Sequence, residues 1–306
     1  MPAPFSTDVK KRMEKRHLSA DPLKAGLYLV STPIGRARDI TLHALDVLAT
    51  ADILVAEDTR VLRKLLDIHG LALGARSVRA YHDHSQAKDR DWILNQVAEG
   101  KSVALTSDAG TPLIADPGFG LVKEAYTLGL HVDAAPGVSA LTMAVSLAGL
   151  PSDRIFFCGF LPPKTQARKK AIEEVKDLKT SLVFYESPKR VLKTLADMAD
   201  VFGATREIAL ARELTKKFQE IERGSIEELI LFLENKPSIK GEIVLVVGHP
   251  VGADVKLGDI GKELGKLVQE VGVKQASVIL SEKYGLPKKD LYAQALDLKN
   301  ETSRSR

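Results

Sequence analysis

A short apolar stretch at residues 103–106 (Val-Ala-Leu-Thr) runs directly into Ser107-Asp108-Ala109-Gly110-Thr111-Pro112-Leu113-Ile114-Ala115-Asp116-Pro117-Gly118. The apolar residues predict a buried β-strand, and apolar residues at helical spacing over 121–128 predict a helix after the loop. Open α/β sheets bind ligands at the carboxyl ends of their strands, where this loop would lie. The stretch therefore predicts a strand, a ligand-binding loop and a helix.

The loop carries residues that are suited to holding a polar ligand. Gly110 lets the backbone approach closely, and Pro112 rigidifies the turn. Asp108 supplies an acceptor for an ammonium or hydroxyl group, and Thr111 can donate or accept. Asp116 is expected to cap the following helix. A capped strand-to-helix connection explains Asp116 but not the polar, glycine and proline residues before it, so ligand binding is the favoured interpretation.

Two further turns of this kind follow predicted strands, at residues 31–36 (Ser-Thr-Pro-Ile-Gly-Arg) and 135–140 (Ala-Pro-Gly-Val-Ser-Ala). The first lacks the glycine triplet of the dinucleotide fingerprint and the Gly-Lys-Ser/Thr of a phosphate loop, which disfavours a nicotinamide cofactor or ATP. The small residues of the second leave room for a flat ring beside the backbone. Together the three loops favour a small amphoteric ligand over a polyphosphate.

Around these loops, short β-branched runs alternate with helical spacing, which predicts α/β layers with largely parallel sheets. Ten strands are predicted, at residues 27–31, 53–56, 78–81, 103–107, 131–134, 155–158, 181–185, 207–211, 218–223 and 242–247. The run at 218–223 follows 207–211 so closely that the two are expected to pair antiparallel. The second half of the chain should therefore form a mixed sheet.

The chain is predicted to divide into four parts: a basic N-terminal tail expected to be disordered (1–24), two α/β domains (25–149 and 150–249) and a helical extension (250–306). In the extension, helical patterns at about 258–270, 274–284 and 288–298 are joined by glycine-containing turns. Three short helices with scattered lysines resemble a helix-turn-helix module that binds nucleic acid, and a helical cap without a ligand is the alternative.

Composition narrows the class of protein. The net charge is +4, and residues 1–24 carry six basic and three acidic side chains, against ten and eight in 251–306. Basic flanks suit a polyanionic partner or are ordinary solubilising tails.

The single cysteine, Cys158, excludes an intrachain disulfide and is expected to be a buried small hydrophobe. No apolar run reaches the ~18 residues of a membrane helix, and no secretory apolar core is visible at the start, so we expect a cytoplasmic protein without a membrane anchor.

Several motifs together resemble one known family. They are residues 107–112 (Ser-Asp-Ala-Gly-Thr-Pro), 32–35 (Thr-Pro-Ile-Gly), 56–60 (Ala-Glu-Asp-Thr-Arg), 81–84 (Tyr-His-Asp-His), 184–188 (Phe-Tyr-Glu-Ser-Pro) and 211–218 (Ala-Arg-Glu-Leu-Thr-Lys-Lys-Phe). In this order they closely resemble the ribosomal RNA small subunit methyltransferase I family of the tetrapyrrole methylase superfamily. The resemblance covers residues 26–248, and the helical tail resembles the family's helix-turn-helix extension. Arg36 departs from the pattern, because the family commonly has Asn there.

The resemblance implies an α/β, two-domain tetrapyrrole-methylase-like fold (a class III S-adenosylmethionine methyltransferase) with the small helical extension. It implies S-adenosyl-L-methionine in the cleft between the domains and 2′-O-methylation of a cytidine ribose in the decoding centre of 16S rRNA. It also implies a homodimer. The expected cofactor-binding residues are Pro33, Ser107, Asp108, Ala109, Gly110, Thr111, Leu113, Gly137, Ser139, Ala140, Tyr185 and Arg212.

Methyl transfer from a sulfonium to oxygen is an in-line displacement that requires no metal but must release one proton. Five residues in the matching motifs could accept it, and the sequence does not choose among them: Glu57, Asp58, His82, Glu186 and Glu213.

A metal at residues 81–84 is disfavoured, because on a strand only His82 and His84 would share a face and no third ligand is indicated. A basic segment, residues 160–170 with Arg168, Lys169 and Lys170, is expected to be exposed and could contact phosphate or only face solvent.

Two other functions remain open at this point. A tetrapyrrole C-methyltransferase would share the cofactor site but act on a macrocycle, and the helical tail and residues 81–84 argue against it. A non-catalytic RNA-binding protein would keep the basic flanks but would need none of the cofactor loops.

Overall fold

The computed structural model describes residues 22–82, 85–116, 118–250, 257–284 and 288–304. Most of the predicted basic tail, together with Asp83, His84 and Pro117, lies outside the described residues. Within the described part, two five-stranded sheets, each covered by helices, are followed by a C-terminal helical unit. No helix among the described residues combines the length and apolar content needed to cross a bilayer.

The first sheet is entirely parallel, with strand order β3-β2-β4-β1-β5. Its strands are β1 (Gly26–Val30), β2 (Ile53–Ala56), β3 (Ser77–Ala80), β4 (Ser102–Thr106) and β5 (Val132–Ala135). The intervening helices are α1 (Leu42–Thr50), α2 (Thr59–His69), α3 (Ala87–Ala98) and α4 (Phe119–Thr127). Both faces of the sheet are apolar, and α1 and α2 cover one face while α3 and α4 cover the other.

The second sheet is mixed, with strand order β6-β7-β10-β8-β9, as the sequence predicts. Its strands are β6 (Ile155–Phe160), β7 (Ser181–Glu186), β8 (Glu207–Arg212), β9 (Glu220–Ser225) and β10 (Ile243–Val247). Only β6 and β7 pair parallel, whereas β10 runs antiparallel to both β7 and β8, and β8 pairs antiparallel with β9. The predicted antiparallel pairing of the eighth and ninth strands is confirmed.

Alternating side chains along the second sheet divide its helices between two faces. One face packs against α6 (Thr165–Glu173), α7 (Val191–Phe202) and α8 (Ile226–Glu234). The other packs against α5 (Ala140–Ala148), whose Ala144 and Val145 lie among the side chains of β8 and β10. Helix α5 thus follows a strand of the first sheet but covers the second, which brings the two sheets together at its N-terminal end.

The C-terminal unit consists of α9 (Leu257–Tyr284) and α10 (Lys288–Arg304). Helix α9 is interrupted at Gly272, whose φ of 81° and ψ of 164° are non-helical, so it forms two helical segments as the sequence predicts. The third segment extends to Arg304, beyond the predicted end at residue 298. A small core of its own holds the unit together: Leu264, Val273, Ala276, Leu280, Leu291 and Ala295.

Four local expectations are wrong or need revision. The N-cap of α4 is Gly118 and not Asp116. The helix begins only at Phe119, and Gly118, with a positive φ of 130°, directly precedes it. Arg168 is buried, since its Nε bonds Asp197 at 2.6 Å, so residues 160–170 are not uniformly exposed.

Strand β3 ends at Ala80, which leaves His82 beyond the strand. Cys158 is half-buried, and burial raises its pKa to about 12.

Candidate functional site

The loops after β1 and β4 are joined by a two-residue antiparallel bridge. The Thr32 amide donates to the Gly110 carbonyl at 2.8 Å, and the Gly110 amide donates back at 3.0 Å. Gly110 has a φ of 88°, and a Cβ there would lie 3.4 Å from Ile34 Cγ2. The left-handed backbone is therefore what favours glycine at this position, since a Cβ would meet Ile34 at an ordinary van der Waals distance.

A second set of contacts brings in the loop after β5. The Thr111 hydroxyl accepts from Ser31 Oγ at 3.3 Å and lies 3.1 Å from the Val138 carbonyl, to which it donates. A Cβ on Gly137 would lie 2.6 Å from Ser31 Cβ, so only glycine fits against this turn. The three loops singled out in the sequence thus converge at one edge of the first sheet.

The loop after β4 also contains strained backbone. Leu113 and Ala115 adopt left-handed conformations, with φ of 71° and 64°. Non-glycine residues reach this region rarely, and each such residue costs about 1–3 kcal/mol where surrounding contacts enforce it. The loop is therefore held in a specific shape, as functional loops often are.

The acidic side of this edge is organised around Asp108. Its carboxylate accepts a hydrogen bond from the Asp58 amide at 2.8 Å, and its own amide lies 3.5 Å from Glu57 Oε2. Asp58 in turn caps α2 by accepting from the Arg60 amide, and its side chain pairs with the Arg60 guanidinium at 2.5 Å. Hydrogen bonds from Arg60 lower the pKa of Asp58 to about 2.

The second sheet contributes Tyr185 and Glu186 from the end of β7. The Tyr185 hydroxyl accepts from the Leu141 amide at 3.1 Å, at the start of α5, and burial raises its pKa. Glu186 is buried, and its carboxylate accepts from the Thr194 hydroxyl at 2.6 Å and from the Ser187 amide at 2.7 Å. The ring of Phe160 packs edge-on to Tyr185, with centroids 5.6 Å apart.

These loops and strand ends enclose a cavity of about 420 Å³ between the two sheets. Its apolar wall includes Ile34, Ile114, Phe160 and Val244. Five carboxyl-bearing residues also line it: Glu57, Asp108, Asp116, Glu186 and Glu242. The described residues that line the cavity include neither lysine nor arginine. A ligand with a positive charge and a substantial apolar surface suits this lining.

Many of the expected site residues meet in this cavity. Its lining includes seven of the expected cofactor residues, Asp108, Ala109, Gly110, Thr111, Ser139, Ala140 and Tyr185, and two of the candidate bases, Glu57 and Glu186.

Other expected site residues lie outside the lining. They are Pro33, Ser107, Leu113, Gly137, Arg212, Asp58, His82 and Glu213. Arg212 pairs with Glu220 at 2.8 Å, and Glu213 pairs with Lys216 at the same distance. Ser107 is buried and accepts at its carbonyl from the Thr32 hydroxyl, so it supports the loop from behind.

Sequence reasoning missed the segment Gly241-Glu242-Ile243-Val244, which lines the cavity at the start of β10. In a parallel sheet, ligand-binding residues follow the strands, whereas this segment begins a strand. Because β10 is antiparallel, its first residues lie beside the last residues of β7 and β8, with Ile243 opposite Glu186 and Arg212. The Gly-Glu pair before an apolar strand is the signal that could have indicated this. The described residues contain no cluster of three or more side chains placed to bind a metal ion.

Comparison with known proteins agrees with this architecture. The family described as Tetrapyrrole (Corrin/Porphyrin) Methylases matches residues 26–230, and the RsmI C-terminal HTH domain matches residues 258–299. Solved structures with the same fold include the methyltransferase CobJ (18% identity, TM-score 0.57, 76% of this chain and 97% of that one). Diphthine synthase is similar too (14% identity, TM-score 0.57, 72% and 89%).

Relatives in sequence are more specific. A ribosomal RNA small subunit methyltransferase I from Mesorhizobium japonicum is 41% identical over 283 residues, covering 92% of this chain and 95% of its own length. The protein of the same name from Escherichia coli O157:H7 is 41% identical over 285 residues, covering 92% and 99%. The one from Rickettsia prowazekii is 45% identical over 229 residues, covering 75% and 80%. The chain therefore belongs to the ribosomal RNA small subunit methyltransferase I family.

Proposed function

We propose that the chain transfers a methyl group to the ribose 2′-oxygen of a cytidine in the decoding centre of 16S rRNA, with S-adenosyl-L-methionine in the cavity between the two sheets. Family membership makes the chain a S-adenosylmethionine-dependent methyltransferase. The target nucleotide, the placement of the cofactor and the roles of individual residues are the proposed part. The proposal extends to a cytoplasmic homodimer that acts on the small ribosomal subunit.

The lining of the cavity is the observation that carries the placement of the cofactor. S-adenosylmethionine combines a sulfonium and an ammonium group with an adenine ring, and when bound it supplies an electrophilic methyl group. Of the five carboxyl-bearing residues, Glu186 and Glu242 pair with Arg190 and Lys216 outside the lining, at 3.4 and 3.0 Å. The remaining excess of carboxylates over cations favours such a cation. The apolar wall, with Ile34 and Val244, suits the ring, and a volume of about 420 Å³ is in the range of small-molecule sites.

The residues of the chain then have distinct roles in binding. The loop after β4, with Asp108 and Thr111, would hold the methionine end, because it carries the acceptor carboxylate and the exposed backbone groups. Ser139, Ala140 and Tyr185, at the start of α5 and the end of β7, would border the adenosine. Ser107, Gly137 and Pro33 would act from behind these loops by fixing their mutual position.

Among the candidate bases, Glu57 is the residue that we assign to accept the 2′-hydroxyl proton. It lines the cavity at the end of β2, beside Asp108. The carboxylate of Glu186 is already bonded to Thr194 and Ser187, and Asp58 has a pKa of about 2 that makes it a weak base near neutral pH. Glu213 accepts a hydrogen bond from Lys216, and this hydrogen bond lowers the pKa of Glu213. His82 is exposed and lies beyond the end of β3.

Catalysis on this arrangement would rest mainly on alignment. Holding the 2′-oxygen in line with the methyl group converts a bimolecular reaction into an effectively unimolecular one. Proton acceptance by a positioned carboxylate adds about 10²–10⁴-fold. The helical unit of α9 and α10 would dock the RNA, and it is the part that the tetrapyrrole-acting alternative does not require.

The proposal is tested with purified full-length chain, tritiated S-adenosylmethionine and small ribosomal subunits from a strain from which the gene is deleted. We expect one methyl group per subunit, located by mass spectrometry on the ribose of a decoding-centre cytidine. Methylation of a tetrapyrrole such as uroporphyrinogen III, with none of the RNA, would favour the C-methyltransferase alternative. RNA binding with no methyl transfer to either substrate would favour a non-catalytic RNA-binding protein.

A further inference from the structure

The loop between β8 and β9, residues 213–219, reaches across from the second sheet to the first. Leu214 is buried in the same apolar cluster as Ile34, which belongs to the loop after β1. Leu214 and Ile34 also border a small cavity of about 30 Å³ together with Ala140 and Val244, and these last two line the main cavity as well. The 213–219 loop is thus anchored directly beside the proposed methyl-transfer site.

Polar contacts fix the same loop on both sides. The Thr215 hydroxyl accepts from the Arg36 amide at 3.3 Å, across the junction of the two sheets. Lys216 donates to the carboxylates of Glu213 and Glu242, at 2.8 and 3.0 Å, and Glu242 lines the main cavity. The loop therefore has one defined position relative to the cavity.

Its backbone is held in an unfavourable conformation. Glu213 and Thr215 have φ of 51° and 64°, in the left-handed region that non-glycine residues seldom adopt. For Thr215, whose side chain is β-branched, this is a marked outlier. Gly35 permits the approach, because a Cβ there would lie 2.6 Å from both Lys216 Cγ and Thr215 Oγ1. Strain that is enforced from several sides is characteristic of a segment with a function to perform.

The outward-facing part of this loop consists of Lys217 and Phe218. Phe218 is 65% exposed, and Lys217 is exposed with its Nζ 5.4 Å from the centre of the Phe218 ring. The contacts that anchor the loop involve residues 213–216 and the side chain of Gln219, so packing does not explain an aromatic ring at this position. Arg36, which is exposed on the facing loop, adds a further cation to the same rim.

We propose that Phe218 is a substrate-recognition residue on which a base of the RNA, at or next to the methylated nucleotide, stacks, while Lys217 meets the adjoining phosphate. An aromatic face beside a cation is the arrangement that binds single-stranded nucleic acid, because every base has a π-face and every linkage has a charge. Stacking here would hold the target nucleotide out of its helix, beside the cavity that contains the methyl donor. This inference rests on the proposed function, since it assumes an RNA substrate.

The test compares F218L with F218W in full-length chain, and Y126L serves as the matched control. Tyr126 is 64% exposed but lies near the C-terminal end of α4, away from the carboxyl ends of the strands. Steady-state methylation of small subunits should show a KM for the subunit about 10- to 100-fold higher for F218L, the range expected for losing one base stack. F218W keeps an aromatic face, so its KM for the subunit should stay near the wild-type value, as should that of Y126L. The affinity for S-adenosylmethionine should be the same in all variants.

The outcomes separate this inference from the function on which it rests. A wild-type chain that transfers no methyl group to RNA removes the proposed function. If the wild type is active, an unchanged KM in F218L overturns the inference. The inference is also overturned if F218W or Y126L shows the same increase in KM as F218L.

Discussion

The carboxylate of Asp108 accepts a hydrogen bond from the backbone amide of Asp58 at 2.8 Å, although the two residues are 50 positions apart in the chain. The contact joins the loop after β4 to the start of α2, at adjacent strand ends of the first sheet. The contact fixes the Asp108 carboxylate at the wall of the cavity. It also keeps Glu57, the residue before Asp58, at the same wall. Binding and proton transfer are thus proposed for neighbouring residues on one rigid edge.

The first prediction concerns binding of the methyl donor. Asp108→Ala should weaken S-adenosylmethionine binding by roughly 1.5–3 kcal/mol, the usual effect of losing a hydrogen bond to a charged group. Isothermal titration calorimetry measures the affinity, and circular dichroism reports whether the variant is folded. Asp67→Ala, which removes an exposed carboxylate from α2, is the control and should bind normally. Normal affinity in a folded Asp108→Ala variant would contradict the assignment.

The second prediction concerns proton acceptance. Glu57→Gln keeps the shape of the side chain but removes the base, so kcat should fall by about 10²–10⁴-fold. Affinity for S-adenosylmethionine should change little, because the amide keeps the size of the carboxyl group. Asp58→Asn is the matched comparison on the next residue, and its kcat should stay within a few-fold of the wild type. Equal losses in the two variants would argue for a shared structural role instead.

The third prediction is a dependence of stability on pH. The pKa of Asp58 is about 2 in the folded chain against an unperturbed value of 3.8, so its ionised form is favoured by folding. The resulting stabilisation is present in full above about pH 4 and is lost as the pH falls towards 2. Asp58→Asn keeps the helix cap but loses the pairing with Arg60. Its melting temperature should be below that of the wild type at pH 7, and the difference should shrink as the pH falls through 2 and disappear below it.

Much of the fold was predictable because each strand is a short apolar run between helices. The strand that the sequence predicts at residues 53–56 coincides with β2, and the other predicted strands overlap the observed ones. The sequence predicts the ninth strand from residue 218, two residues before the observed strand begins. In the structure the Phe218 ring is exposed on a loop, and β9 begins at Glu220. Aromatic character alone does not distinguish a strand from a presented side chain.

The remaining errors have their cause in partners that are distant in sequence. Arg168 begins the run Arg-Lys-Lys, which predicts an exposed basic segment, yet Arg168 is buried and its Nε donates to Asp197 on the next helix. The residues that begin β10 were missed because the direction of that strand follows from the whole sheet. The loops after β1, β4 and β5 are predictable because each follows an apolar strand directly and carries glycine and proline, features that lie within a few residues of one another.

The fourth prediction concerns the helical unit. Because α9 and α10 share a core of their own, deletion of residues 251–306 should leave the two sheets folded and cofactor binding nearly intact. Methylation of small subunits should fall strongly, since the unit is proposed to dock the RNA. Calorimetry with S-adenosylmethionine and a methyl-transfer assay measure the two effects on the same preparation. Full methylation by the truncated chain would show that docking lies elsewhere.

The last prediction concerns the charge of that unit. Lys288 and Lys289 are exposed at the first turn of α10, where backbone amides also favour an anion. Changing both to glutamate should weaken RNA binding and reduce its salt dependence, because fewer counterions are released when fewer phosphates are neutralised. Binding is measured at several salt concentrations, and S-adenosylmethionine affinity should remain at the wild-type value because the cavity is in the sheets. Lys274 on α9, also exposed, provides a single-charge comparison through Lys274→Glu. If the affinity and the salt slope of the double variant match the wild type, these two lysines face solvent in the complex, and their charge serves solubility.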